Sequence, residues 1–126
     1  MELRHVFAVN SVFALFFGGS CSLSPRWVFS LYGITPDPSA IWTARLVGGS
    51  ILGLATLMRF GQKTKSIDTR RAIAIALLVQ DVIGCIASLK FQLVGFANSF
   101  SWYSLALYGF LAMAYAFFLF AKPASC

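Results

Sequence analysis

Four apolar runs, at about residues 6–23, 40–60, 70–92 and 100–121, alternate with short polar stretches. A bilayer core of roughly 30 Å needs about 20 helical residues, so each run is long enough to span a membrane. The first run follows Arg4 and is followed by Gly18, Gly19, Ser20 and Cys21, features shared with signal peptides. A lipobox at Cys21 would need a branched apolar residue where Gly18 stands, and a retained transmembrane helix is expected. Ser24 and Pro25 end it. The following RWVFSLYGI (26–34) is too short to span and too aromatic for an open loop, which predicts a short interfacial helix.

Thr35, Pro36, Asp37, Pro38 and Ser39 are turn chemistry, with Asp37 placed to cap the second span and Pro38 at its first position. The polar stretch 61–69 joins the second and third spans, and Asp68 or Thr69 is the expected cap of the third. Residues 95–99 make the last turn. The predicted fold is an all-α membrane protein of one domain (1–126), an antiparallel bundle of four transmembrane helices with a short interfacial helix between the first and second. No internal repeat is visible, so an inverted-repeat transporter is not indicated.

Composition agrees. The 126 residues are 59% hydrophobic and 11% charged, with a mean hydropathy of +0.79. Soluble domains carry roughly 25% charged residues. The net charge of +6 is spread over helix ends and offers no basic aromatic groove, so no nucleic-acid partner is expected. Arg4, Arg59, Lys63, Lys65, Arg70, Arg71 and Lys122 gather on one side, against Arg26, Arg45 and Lys90 on or near the other. The positive-inside rule then predicts both termini in the cytoplasm, with Trp27, Trp42 and Trp102 at the outer interface. Cys21, Cys85 and Cys126 have neither disulfide nor metal spacing.

The third span holds the candidate chemistry. Gln80 and Asp81 lie near its middle, where a carboxylate costs at least about 2.5–3.5 kcal/mol and normally faces protein or a watery cavity. Asp81, Gly84, Cys85, Ser88 and Gln92 share one small, polar face, expected to meet Arg45, Gly49 and Gly53 of the second span. Asn10 would add to an intramembrane polar cluster of Asp81, Gln80, Arg45 and Ser88. Side chains lean toward their helix N-terminus, and Arg45 lies roughly 6 Å below the outer surface against roughly 14 Å for Asp81. A direct ion pair therefore needs a tilt, a kink or a water. Asp81 has three alternatives: a neutral carboxyl donating a hydrogen bond, a partner of a basic group, or a coupling site for a proton or cation.

Arg45 and Lys90 sit at headgroup depth, for snorkelling or for contact with an anion or lipid headgroup. Gly48, Gly49, Gly53 and Gly84 are the expected helix-packing residues, and Gly49 with Gly53 forms a G-x-x-x-G. Catalysis is not expected. The one histidine, His5, marks a helix end, and there is no G-x-S-x-G and no His/Glu cluster. No metal and no cofactor is expected, and a lone histidine cannot supply both ligands of a bis-histidine haem.

The phrases TPDPSAIWTARLVGGSILGLA, RRAIAIALLVQDVIG and GFANSFSWYSLALYGFLAMAY resemble a large group of uncharacterised small bacterial four-helix membrane proteins. The shared elements are Ala-Arg-Leu-x-Gly at 44–48 and Gly-x-x-Asn at 95–98. The resemblance implies the topology and a bacterial inner membrane, and it implies no activity. Small multidrug-resistance transporters are similar in size but carry an essential glutamate on their first helix, where this span has no acid. The expected function is a non-enzymatic accessory or scaffold subunit of a larger membrane complex, partnered by lipids and by other membrane subunits or its own copies. The alternative is a small transporter or lipid- or lipophile-binding protein using a polar cleft at Asp81.

Overall fold

The computed structural model describes residues 2–95 and 99–121. The fold is all-α, with α1 (Leu3–Leu23), a short α2 (Pro25–Leu31), α3 (Pro38–Lys63), α4 (Ile67–Leu93) and α5 (Ser101–Ala116). A closing π-helical turn, Phe117–Ala121, continues α5. The four long helices are each long and apolar enough to cross a membrane. Large apolar side chains such as Val12, Phe16, Phe60, Ile83, Met113 and Phe120 point outward. Water would penalise so much exposed apolar surface, whereas lipid is its natural solvent. The chain is a four-helix membrane bundle.

Local chemistry sets the helix ends. At the start of α1 the backbone N–H of Glu2 donates to Nδ1 of His5 at 3.1 Å, half of a capping box with the Glu2 side chain. His5 is therefore committed to a helix end. Pro25 closes α1 and opens α2 at its first position. Gly33, at φ 70°, ends α2 by sending its own N–H to Ser30 and that of Ile34 to Phe29, a turn that needs the left-handed backbone glycine tolerates. The cap of α4 is Ser66, not Asp68 or Thr69. Its hydroxyl accepts the Thr69 N–H at 3.2 Å, and Asp68 sits inside the first turn, where its charge suits the helix dipole.

Asp37 caps α3 by accepting the Ala40 N–H at 2.7 Å, and it also takes the Ser39 hydroxyl at 2.8 Å. These bonds, the Ala40 amide first, hold its carboxyl below the ordinary value of 3.8. A carboxyl lowered by folding contributes above its ordinary value, and the contribution fades as pH falls through the lowered one. The Ala40 amide resonance is expected to report this titration by NMR, with a midpoint below that of an unstructured aspartate. A midpoint at the unstructured value would contradict the cap.

The bundle is built from two helix pairs. α1 packs along α3, and α4 packs along α5. The pairs meet at the end that carries Arg4, Arg59, Lys63 and Arg70. There Leu3, Val6 and Phe7 of α1 pack with Ala55 and Met58 of α3, Ile73, Ala74 and Leu77 of α4, and Leu111 and Tyr115 of α5. Phe118 and Leu119 of the π-helical turn complete this core. Toward the other end the buried cluster stops, and the two pairs leave space between them.

Candidate functional site

That space is a cleft of about 600 Å³, running from the level of α2 to the middle of the bundle. α1 contributes Asn10, Ala14 and Phe17 at helical spacings of three and four. α4 contributes Gln80, Asp81, Ser88 and Phe91, and α5 contributes Ser104, Leu107, Tyr108 and Leu111. α2 lies across the outer part with Trp27, Val28 and Leu31. It is fastened on both sides, since the Tyr32 hydroxyl hydrogen-bonds that of Ser104 and the Tyr32 ring meets Phe100 edge-on at 5.2 Å. Trp27 meets Phe16 edge-on at 6.2 Å.

The polar floor has two parts with different fates. Asn10 is buried and satisfied, because its Nδ2 donates to the Tyr115 hydroxyl at 2.8 Å. Asp81 is 2% exposed, and its Oδ2 is buried with no hydrogen-bond partner. A buried acceptor left unpaired costs about 1–3 kcal/mol, and more if it is charged. No lysine or arginine lines the cleft, so Asp81 is its one ionisable carboxylate facing tyrosine hydroxyls and aromatic rings.

The structure thus sets Asn10, Gln80, Asp81 and Ser88 around one cleft and leaves Arg45 out of it. Arg45 is exposed on α3 beyond that lining, and the ion pair among the described residues is a local one, Arg4 Nε to Glu2 Oε2 at 2.7 Å. Lys90 is likewise exposed, on α4. The glycines divide as well. Gly48 lies against Gly18 and Ser22 of α1, and Gly84 lies against the Tyr108 ring, where an added Cβ would stand 2.7 Å from Cε1. Gly49 and Gly53 face open space. The expectation that the Asp81 face would meet Arg45, Gly49 and Gly53 is therefore corrected: that face looks across to α5. The reason is that α4 takes α5 as its close partner, which leaves little of it against α3.

No protein family, curated protein or solved structure matches this chain. Function must be argued from the cleft.

Sequence reasoning missed the tyrosines. Tyr115 ties α1 to α5, and Tyr108 fills the groove at Gly84, but in the sequence both lie within one continuous aromatic run. Gln92 was grouped with the Asp81 face. Its Oε1 accepts the Ser101 hydroxyl of α5, in keeping with a face that looks across to α5. Lys122, Cys126 and Asn98, which entered the charge count, the thiol count and the turn motif, lie outside the described residues.

Among the described residues no group of three His, Cys, Asp or Glu side chains is placed to hold a metal ion. Cys21 is buried and Cys85 half-buried, both as free thiols.

Proposed function

We propose that this is a non-enzymatic membrane protein that holds a lipophilic small molecule in its intramembrane cleft, either to carry it across the bilayer or to keep it there. One observation carries this reading: a cleft of about 600 Å³ whose floor contains a buried, unpartnered carboxylate oxygen. The volume falls within the roughly 300–1,000 Å³ of small-molecule sites, and an apolar wall with few polar groups is their usual lining. The proposed orientation, from the distribution of bases, puts both termini in the cytoplasm and the cleft toward the outer leaflet. A bacterial inner membrane is the proposed location.

A second reading, an accessory or scaffold subunit, is favoured by α3. Gly49 and Gly53 form a small-residue groove facing away from the bundle, into which another helix backbone can fit. One preparation addresses both. A tagged copy is purified in mild detergent, and its small molecules are extracted and identified by mass spectrometry beside the variant Ser88→Trp, which fills the cleft. A species near one per chain, lost from the variant, is the expected result. Bulk lipid alone in both samples, with a stoichiometric foreign subunit co-purifying, would replace the binding reading with the subunit reading.

A further inference from the structure

We infer that the cleft selects a lipophilic organic cation, its positive centre seated against the Asp81 carboxylate and its apolar groups against the surrounding rings. The inference deepens the binding reading above and rests on it. Charge is the first support. The chain has a net charge of +6, yet the cleft is lined by one acid and no base. Lysines and arginines lie elsewhere on the molecule, so an anion entering the cleft would meet Asp81 and nothing to balance itself. A cation would offset the charge of the Asp81 carboxylate, which no base in the lining neutralises.

The walls are the second support. Nine of the 22 lining residues are phenylalanine, tyrosine or tryptophan; Phe13, Phe16, Trp27 and Tyr103 stand at the exposed edge, and the other five are half-buried. An aromatic face attracts a cation through its quadrupole, and the attraction is stronger when water is excluded. Tyr108 is held in place behind its ring by Gly84, which has no side chain to push it away. Tyr32 and Phe100 are fixed edge to face. A carboxylate at the floor, with Tyr108 near it and further rings along the walls, suits a bulky ammonium or phosphonium better than a hydrated inorganic ion. Such an ion would need several oxygen ligands, and no acidic cluster is present among the described residues.

The test uses two rigid probes of nearly equal size and opposite charge, tetraphenylphosphonium and tetraphenylborate, measured by equilibrium dialysis against the purified protein in detergent. The phosphonium is expected to bind saturably at one per chain, at least tenfold more tightly than the borate. Asp81→Asn is expected to weaken the phosphonium at least tenfold and to bring the two probes close together, with the helical circular dichroism and elution volume unchanged. Equal binding of both probes to the unaltered protein would overturn the charge selection while leaving a lipophile site in place. Saturable binding of neither would also overturn it, and the extraction experiment then decides whether the cleft holds any small molecule.

Discussion

Gly48→Ala is expected to loosen α1 from α3, while Gly49→Ala and Gly53→Ala leave the fold intact. A Cβ at position 48 would stand 2.5 Å from Ser22 Oγ, 2.7 Å from the Gly18 carbonyl oxygen and 2.8 Å from the Ser22 backbone nitrogen. Two of these three neighbours are backbone atoms and cannot rotate aside. Gly18 faces the same crossing, where its own Cβ would stand 3.0 Å from the Gly48 carbonyl oxygen. Overpacking at such a point costs about 1–3 kcal/mol for one methyl group, and Gly48→Leu should prevent the helices from closing at all. At positions 49 and 53 a Cβ meets nothing, and alanine is the better helix former by about 0.8–1 kcal/mol. Unfolding by sodium dodecyl sulfate, followed by circular dichroism, should therefore rank Gly48→Ala well below the unaltered protein and the other two at or above it. Equal loss at all three positions would mean that α3 packs through the G-x-x-x-G instead.

Tyr115→Ala is expected to be the most damaging change in the core. Tyr115 is fully buried, stacks at a tilt on Phe7 at 5.9 Å, accepts from Asn10 at 2.8 Å and points its hydroxyl at the Met58 sulfur at 3.9 Å. It therefore joins α5 to both α1 and α3. Removing a buried aromatic ring from a water-soluble core costs about 3–5 kcal/mol. In a bundle whose alternative solvent is lipid, the packing and cavity part remains and the transfer part shrinks, leaving on the order of 2–4 kcal/mol. Tyr115→Phe is the finer probe. It keeps the ring and strands the Asn10 amide, at a cost of about 1–2 kcal/mol. The double variant Asn10→Leu with Tyr115→Phe should recover most of that loss, because no polar group is then left unpaired. The same denaturation measurement checks this. A double variant no better than the sum of the singles would place the value of Tyr115 in its ring alone.

The bundle was legible in the sequence because hydropathy and charge act along the helix axis. The first three apolar runs fall within α1, α3 and α4, the fourth covers α5 and the π-helical turn that continues it, and Pro25, Asp37 and Pro38 stand where the chain turns. α1, α3 and α4 extend beyond their runs by a few residues, 67–69 of α4 for example, since hydrogen bonding continues a helix after hydropathy has fallen. Which faces meet is a different question, decided around the axis. Gly48 and Gly49 are neighbours in sequence but about 100° apart on α3. One of them touches α1 and the other faces outward, and no pattern in α3 alone says which. α5 is apolar on all sides, so nothing in its pattern marks Tyr108 and Tyr115 as the inward tyrosines and Tyr103 as the exposed one.

The candidate site divides along the same line. Asn10, Gln80, Asp81 and Ser88 could be picked out as polar groups in apolar helices, and the structure sets them around the cleft. Arg45 joins them only through the expected meeting of the α3 and α4 faces, and helical spacing carries no information about the direction in which α3 turns its charged side chain. The cleft itself was not legible. It exists because α1 with α3 and α4 with α5 converge at the basic end and part at the other, and such divergence is a property of pairs of helices.

The most direct measurement of the cation site is a crystal grown from a lipidic mesophase and soaked with tetraphenylarsonium, whose arsenic scatters anomalously. The account predicts one anomalous peak per chain inside the cleft, between the Asp81 carboxylate and the ring of Tyr108, absent from crystals of Asp81→Asn. Peaks confined to the lipid-facing surface, or a cleft peak that survives in Asp81→Asn, would contradict it.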